Sequence, residues 1–220
     1  MDVRLLGEAT RELADLHRLK QNYTLDEAPT AAGGWTLDDY VQRLPKGSFE
    51  VAKEFVRNYE FADPAIIKAV WLPDSPLQER DMQLEGRFLF LRFLIGVRVN
   101  RVVDEERVVD GRPQRAWGWC YTTLQGHFEA GEMCYEVEQW LDTDEVQFHV
   151  HRFVRTGQIP NPLIRLGWRT FGRFMQVLFV RRSMGRMKRL VETAMTRQDA
   201  SVPLAARQIT VGKASERLAE

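Results

Sequence analysis

The apolar positions of this chain change period twice, once near residue 87 and again near residue 160. Before the first change the spacing is helical. Ala9, Leu13, Leu16 and Leu19 recur at three- and four-residue steps, which predicts a helix over 7–21. Pro29 and Gly33-Gly34 break the chain. Residues 38–44 read as a short helix stopped by Pro45, and Ser48 can cap a helix over 49–59 with Phe49, Ala52, Phe55 or Val56, and Tyr59 on one face. Ile66–Trp71 fits either a strand or a buried helical turn, and 73–85 reads as loop. From Arg87 the pattern turns strand-like. An apolar run covers 88–95, weak alternation covers 97–109, Asp110-Gly111 signals a hairpin, and 116–123, 132–141 and 146–154 are three further strands. After Pro160 and Pro162 the helical period returns over about 163–194, with Ile164, Trp168, Phe171, Met175, Leu178, Met187, Val191 and Met195 forming a stripe. Gly167 and Gly172 suit a close approach to the sheet, and Gly185 suits a kink or a break.

Consecutive short strands followed by one long apolar-striped helix predict an α+β fold. In it a curved antiparallel sheet wraps around a long C-terminal helix, the helix-grip arrangement. The expected organisation is an N-terminal helical extension over 1–44, the helix-grip domain over 45–195 and a tail over 196–220. Space between such a sheet and helix is a natural cavity for an apolar ligand.

Composition narrows the partners. The chain has 31 basic and 31 acidic side chains, so its bulk charge favours no polyanion and nucleic acid is not expected. The balance hides a division. Residues 1–145 carry 27 acidic and 17 basic groups, a balance of −10, and residues 146–220 carry 4 and 14, a balance of +10. Either the basic part docks on the acidic part of its own fold, which is the preferred reading, or it meets an anionic surface. Two cysteines are too few for a disulfide framework, and both Cys120 and Cys134 fall inside strands, which suggests buried free thiols and a reducing, cytoplasmic setting. The N-terminus has no signal-like core, and no apolar run reaches the roughly 20 residues of a membrane span.

The run Trp119-Cys-Tyr-Thr-Thr-Leu-Gln-Gly-His-Phe-Glu-Ala-Gly-Glu-Met-Cys-Tyr-Glu-Val137 resembles the GxxYGTLxGHxxxGExxFxV core of a family found in bacteria and plants and known only as a domain of unknown function. The stretch from Asn161 to Met184 is similar to that family's C-terminal helix. The likeness covers about residues 45–192. Thr122 stands where the family has glycine, and Val154-Arg155-Thr156 replaces a Ser-Arg-Pro-like strand end. The resemblance implies a relationship to START-like lipid-binding (birch-allergen-like) domains.

Candidate site residues follow from the glycine-punctuated loop and from the aromatic rows. His127 and Glu132 bracket the loop and could hold a polar ligand head or do acid–base work; alternatively His127 bonds a backbone carbonyl and Glu132 accepts loop N–H groups. Trp117, Trp119 and Tyr121 alternate on one strand face, as pocket lining or as core. Trp168, Phe171 and Met175 face the sheet from the helix. Arg98 and Arg101 could reach a cavity mouth. If strands 132–141 and 146–154 pair through their four-residue loop, Glu136 opposes His149 and Cys134 opposes His151 on an outer face. A zinc site there is conceivable, but a flat array suits a tetrahedral ion poorly, so no metal and no cofactor is expected. Three functions remain: a protein that binds an apolar or lipid-like molecule without turnover, which leads; an enzyme in the same cavity using His127, Glu132 and Tyr121; and a module that meets an anionic membrane or a partner through Arg165, Arg169, Arg173, Arg181 and Arg182.

Overall fold

A computed structural model describes residues 13–24, 29–88, 91–159 and 162–198. Seven strands form one antiparallel sheet: β1 (Thr36–Leu44), β2 (Ile67–Val70), β3 (Asp81–Phe88), β4 (Leu91–Val109), β5 (Arg112–Thr123), β6 (Glu129–Trp140) and β7 (Val146–Thr156). Their spatial order is β1-β7-β6-β5-β4-β3-β2. Strands β2 to β7 are therefore a meander, and β1 joins the far edge beside β7. The crossover from β1 to β2 carries the helix α1 (Phe49–Arg57), and a 37-residue helix α2 (Pro162–Gln198) follows β7. The sheet is curved and grips α2, so the architecture is the expected α+β helix-grip fold.

The core lies on one face of the sheet. Val97, Val99, Trp117, Trp119, Tyr135, Val137, Phe148 and Val150 are buried there, against Phe55 and Val56 of α1 and Val180, Met184, Met187 and Val191 of α2. The odd positions of β6 and the even positions of β7 supply that face, in the phase that the alternation predicts. Glu136 opposes His149 and Cys134 opposes His151, the expected register.

Four local readings are corrected. Residues 36–44 are a strand, not a helix. Thr36, Asp38, Tyr40, Gln42 and Leu44 form one face of β1, and nine consecutive pairs with β7 outweigh a weak helical pattern. The apolar run 88–95 is divided between β3 and β4, which pair back on each other from Phe88 opposite Leu91, and β3 begins at Asp81 inside the predicted loop. Gly185 neither kinks nor breaks α2, which runs through it. The cysteines are joined: Cys120 and Cys134 sit opposite one another in the β5–β6 register, Cα atoms 4.0 Å apart, and form a disulfide. The free-thiol reading failed because it treated each strand alone; pairing β5 with β6 makes the two positions neighbours. With the sulfurs bonded, the cysteines carry no sign of a reducing compartment. Ile67–Val70 resolves the open choice as strand. Of the predicted helix 7–21, residues 13–18 form a helical turn ending in Leu16–Arg18, and the portion before residue 13 lies outside the described residues, as does most of the tail. Among the described residues no helix is long and apolar enough to cross a membrane.

Candidate functional site

Where α2 begins, the space between helix and sheet is incompletely filled. The cavity there measures about 80 Å³. Its walls are apolar: Leu84 and Ile95 from β3 and β4, Tyr121 and Met133 from β5 and β6, Phe128 from the loop, and Trp168, Met175 and Phe179 from α2. The Trp168 ring lies 5.3 Å from that of Phe128. Gly172 makes this possible, because a Cβ there would come within 2.9 Å of the Trp168 ring. The opposite end of the sheet–helix space is closed by an aromatic cluster of Tyr59, Phe61, Trp119, Tyr135 and Phe148.

One end of the cavity is polar. His127, Glu129, Arg152 and Gln176 all line it. Glu129 and Arg152 occupy core-facing positions of β6 and β7, in phase with Met133 and Tyr135 and with Phe148 and Val150. Arg152 is 4% exposed at its side chain and bonds Asp38 of β1, directly opposite in register, at 2.7 Å. Its guanidinium also bonds Gln176 at 2.7 Å and lies 3.9 Å from Glu129. Arg173 reaches from α2 to both Asp38 oxygens, at 2.6 and 2.7 Å. Burial alone would raise Asp38, but Arg173 and Arg152 outweigh it and hold the carboxyl down at about 2. Glu129 differs. Burial pushes its carboxyl up despite Arg152, and the Asp38 charge adds to the rise. Gln176 bonds it from α2. A buried carboxyl with a raised value and an amide partner can take or give a hydrogen bond to a polar ligand group.

The loop between β5 and β6 positions His127. Gly126 takes a positive φ of 87° in the turn, and Gly131, at φ 155°, passes so close to β7 that a Cβ would lie 2.0 Å from the Phe153 carbonyl oxygen. His127 is 5% exposed, and burial lowers it to about 4. Its Nδ1 accepts the Glu129 N–H at 2.9 Å, so the neutral ring carries its proton on Nε2. The ring thus accepts a backbone N–H where donation to a carbonyl was the alternative expected.

The structure brings Tyr121, His127, Trp168 and Met175 together at the cavity. Tyr121, pushed by burial to about 12, stays neutral and directs its hydroxyl at Met133 Sδ, 3.3 Å away. Glu132 borders the same space, but its carboxylate bonds Asn100 and Arg101 on the other side of the sheet. Trp117 and Trp119 lie outside the cavity. Trp119 donates its indole N–H to the Val56 carbonyl at 3.0 Å, and Trp117 lies beneath Lys53 and Arg57 of α1. Phe171 is 50% exposed and is not among the lining residues. Arg98 bonds Asp81 at 2.6 Å, and Arg101 lies over the disulfide. The residues that sequence reasoning missed are Glu129, Arg152, Asp38 and Gln176. A signal for one of them was present: Arg152 is a charged residue in the apolar phase of the expected strand 146–154, whereas Glu129 fell in the loop before the expected strand 132–141.

The outer face carries the predicted histidine row, with a shifted pairing. His151 bonds Glu136 at 3.0 Å, while His149 bonds Glu138 and Asp39, each at 2.9 Å. Burial opposes a charge on His149, but Glu138 and Asp39 outweigh it and raise the ring to about 9.

The chain belongs to the family described as Domain of unknown function (DUF1990), whose model matches residues 20–186. No curated protein is significantly similar to it in sequence. Solved structures that resemble the DUF1990 chain include Ara h 8.0201, 8% identical over 73% of this chain and 99% of that one, with a TM-score of 0.43. Another is TTHA0849 from Thermus thermophilus, 7% identical over 72% and 99%, with a TM-score of 0.45. A START superfamily protein from Mycobacterium smegmatis is 16% identical over 70% and 98%, with a TM-score of 0.40.

Proposed function

We propose that this protein binds an apolar small molecule that carries one polar group, with the apolar body under Trp168 and Met175 and the polar group at Glu129, Arg152, His127 and Gln176. The observation that carries the reading is the cavity itself, apolar on most sides with charged groups gathered at one end. A side-chain-filled core would need no buried carboxyl with a raised value beside an arginine. A water needs roughly 10–15 Å³ of such space, so 80 Å³ holds a handful of waters or a small fragment. A lipid-sized occupant requires the first turns of α2 to lift. Those turns are suited to it: Leu166, Phe171 and Phe174 are 64%, 50% and 60% exposed, whereas Val180, Met184, Met187 and Val191 anchor the later turns.

The test is native against denaturing mass spectrometry of freshly purified protein, followed by titration of Trp fluorescence with fatty acids and sterols. A stoichiometric apolar compound, weakened about tenfold by Arg152→Met with the fold intact, is the expected result. Protein that emerges empty and ignores the panel overturns the reading.

A second reading has its own observation. The exposed Leu166, Phe171 and Phe174 share the start of α2 with Arg165 and Arg169, and no acidic residue occurs between Glu145 and Glu192. These features support contact with an anionic membrane, with Arg173, Arg181 and Arg182 adjoining. Arg173 and Arg182 also pair with Asp38 and Asp63, so part of the basic surplus is satisfied within the fold. Retention on phosphatidylserine vesicles at low salt, lost in Leu166→Ser/Phe174→Ser, is expected; equal recovery without vesicles sinks it. An enzyme using His127 with Glu132 has less support, because the Glu132 carboxylate is bonded to Asn100 and Arg101.

A further inference from the structure

On the face of β5 and β6 opposite the cavity, the Cys120–Cys134 bond has polar surroundings that a passive cross-link does not need. Arg101 Nη2 lies 3.1 Å from Cys120 Sγ and 3.4 Å from Cys134 Sγ. Glu132 Oε1 lies 3.4 Å from Cys134 Sγ. A disulfide sulfur is uncharged and a weak acceptor, so a guanidinium gains little from it. A thiolate is an anion, and beside it the same guanidinium forms a charge-assisted hydrogen bond.

The backbone builds this arrangement. The pairing of β4 with β5 is interrupted between Val99 and Arg101, and such an irregularity re-aims side chains. Beyond the break Arg101 pairs with Cys120, while the skipped Asn100 donates to Glu132. The two sulfurs are thus placed unequally: the guanidinium is nearer Cys120, and the carboxylate adjoins Cys134. A carboxylate beside a thiol opposes its ionisation and accepts its S–H. In a reduced pair this geometry favours the thiolate at Cys120, beside Arg101, and the thiol at Cys134, beside Glu132.

We propose that Cys120 and Cys134 form a redox-active pair that exchanges with a dithiol reductant, with Arg101 stabilising the Cys120 thiolate. A thiolate of the dithiol attacks Cys134 Sγ, the S–S bond breaks, and its electron pair leaves on Cys120 Sγ. The reductant's second thiol gives up its proton and attacks its own sulfur in the mixed disulfide, and Cys134 Sγ departs and takes up that proton. The reductant becomes its disulfide, and two electrons and one proton pass to the protein. Both cysteines are buried, at 0% and 1% exposure, while the Arg101 side chain is 52% exposed. In-line attack on Cys134 Sγ comes from the side away from Cys120, where His151 of β7 lies opposite Cys134, so the His151 side chain turns aside while Arg101 stays on the departing Cys120 sulfur. This activity is independent of what the cavity binds.

The test equilibrates the full chain with buffers of reduced and oxidised dithiothreitol, quenches with acid, and reads the thiol state by alkylation and mass. The reduced protein is then given limiting iodoacetamide, and the labelled peptide is identified. The expected result is reversible two-electron reduction with the sheet's circular dichroism unchanged and Cys120 labelled about tenfold ahead of Cys134. Arg101→Gln abolishes that preference, Arg101→Lys keeps most of it, and Glu132→Gln raises labelling of Cys134. A bond that resists dithiothreitol until the protein unfolds, a sheet lost on reduction, or equal labelling indifferent to Arg101→Gln overturns the proposal. So does one equivalent of zinc held by the reduced protein and tightened by Arg101→Gln, which would make Cys120, Cys134 and Glu132 metal ligands instead.

Discussion

The two ends of the space between α2 and the sheet are built from the same elements yet solve burial differently. At the α1 end, Phe61, Trp119, Tyr135 and Phe148 interlock, and Val180, Met184, Met187 and Val191 of α2 lie against the same core. At the other end nothing among the described residues corresponds to α1. Trp168 and Met175 are half-buried there, and Asp38, Arg152, Arg173 and Glu129 occupy positions where the first end has aromatic rings. A helix that is anchored at one end and charge-tethered at the other can be tight and open at once. On the function proposed above, a ligand enters at the open end, while stability resides at the filled one.

The most disruptive way to break this comparison is at the filled end. Phe61→Ala removes a ring that is 0% exposed and should cost about 3–5 kcal/mol in urea denaturation. Met175→Ala, half-buried at the cavity, should cost about 1 kcal/mol because its site is already partly empty. Equal costs would mean that the two ends are packed alike.

Arg152→Leu comes next. It leaves Asp38 with Arg173 alone and Glu129 without its nearest cation, so a loss of about 3 kcal/mol is expected, measured by the same denaturation. Combining it with Glu129→Gln should restore part of the loss. If Arg152→Leu were neutral, the polar end would be no tether.

Two histidines sharpen the comparison through pH. His127 on the cavity side should titrate near 4 and His149 on the outer face near 9, both readable by NMR. The value for His149 is raised in the folded protein. Its stabilisation is therefore whole below its ordinary value of 6.5 and is lost as pH rises through about 9. His149→Gln should flatten the stability profile between those values. For His127 the sign reverses: its lowered value means that stability falls as pH drops from 6.5 toward 4.

The smallest effect belongs to the exposed start of α2. Leu166→Ser and Phe174→Ser should change stability by no more than about 0.5 kcal/mol, since both side chains are more than half exposed already. Their effect on vesicle retention is then free of any folding defect.

Much of the sheet was legible in the residues. Alternation along β5, β6 and β7 gives the core face, and Glu136 opposes His149 as expected, but through a hairpin that closes on Gln139 and Val146 with six residues between them; a four-residue loop would have set Glu136 opposite His151. The stripe on α2 was legible as a stripe, but not which part of it is covered: Phe171 shares that pattern and is 50% exposed. The polar cluster could have been suspected from Arg152, in phase with Val146, Phe148 and Val150. Its partner Asp38 could not, because 38–44 carried a competing helical pattern and pairs with a strand more than 100 residues away.

By itself the sequence determined the class of fold, the run of strands, the long closing helix and which side of β6 and β7 is buried. All of these follow from period, and period is local. The tertiary structure decided what depends on which strand lies beside which. It made Cys120 and Cys134 one bond, set Asp38 against Arg152, and turned the Glu132 carboxylate toward Asn100 and Arg101 rather than into the cavity. It also decided that α1 fills one end of the core and leaves the other open. A one-residue change of register inverts every face of a strand, and an empty space is a property of the surrounding elements together, so no single segment encodes either one.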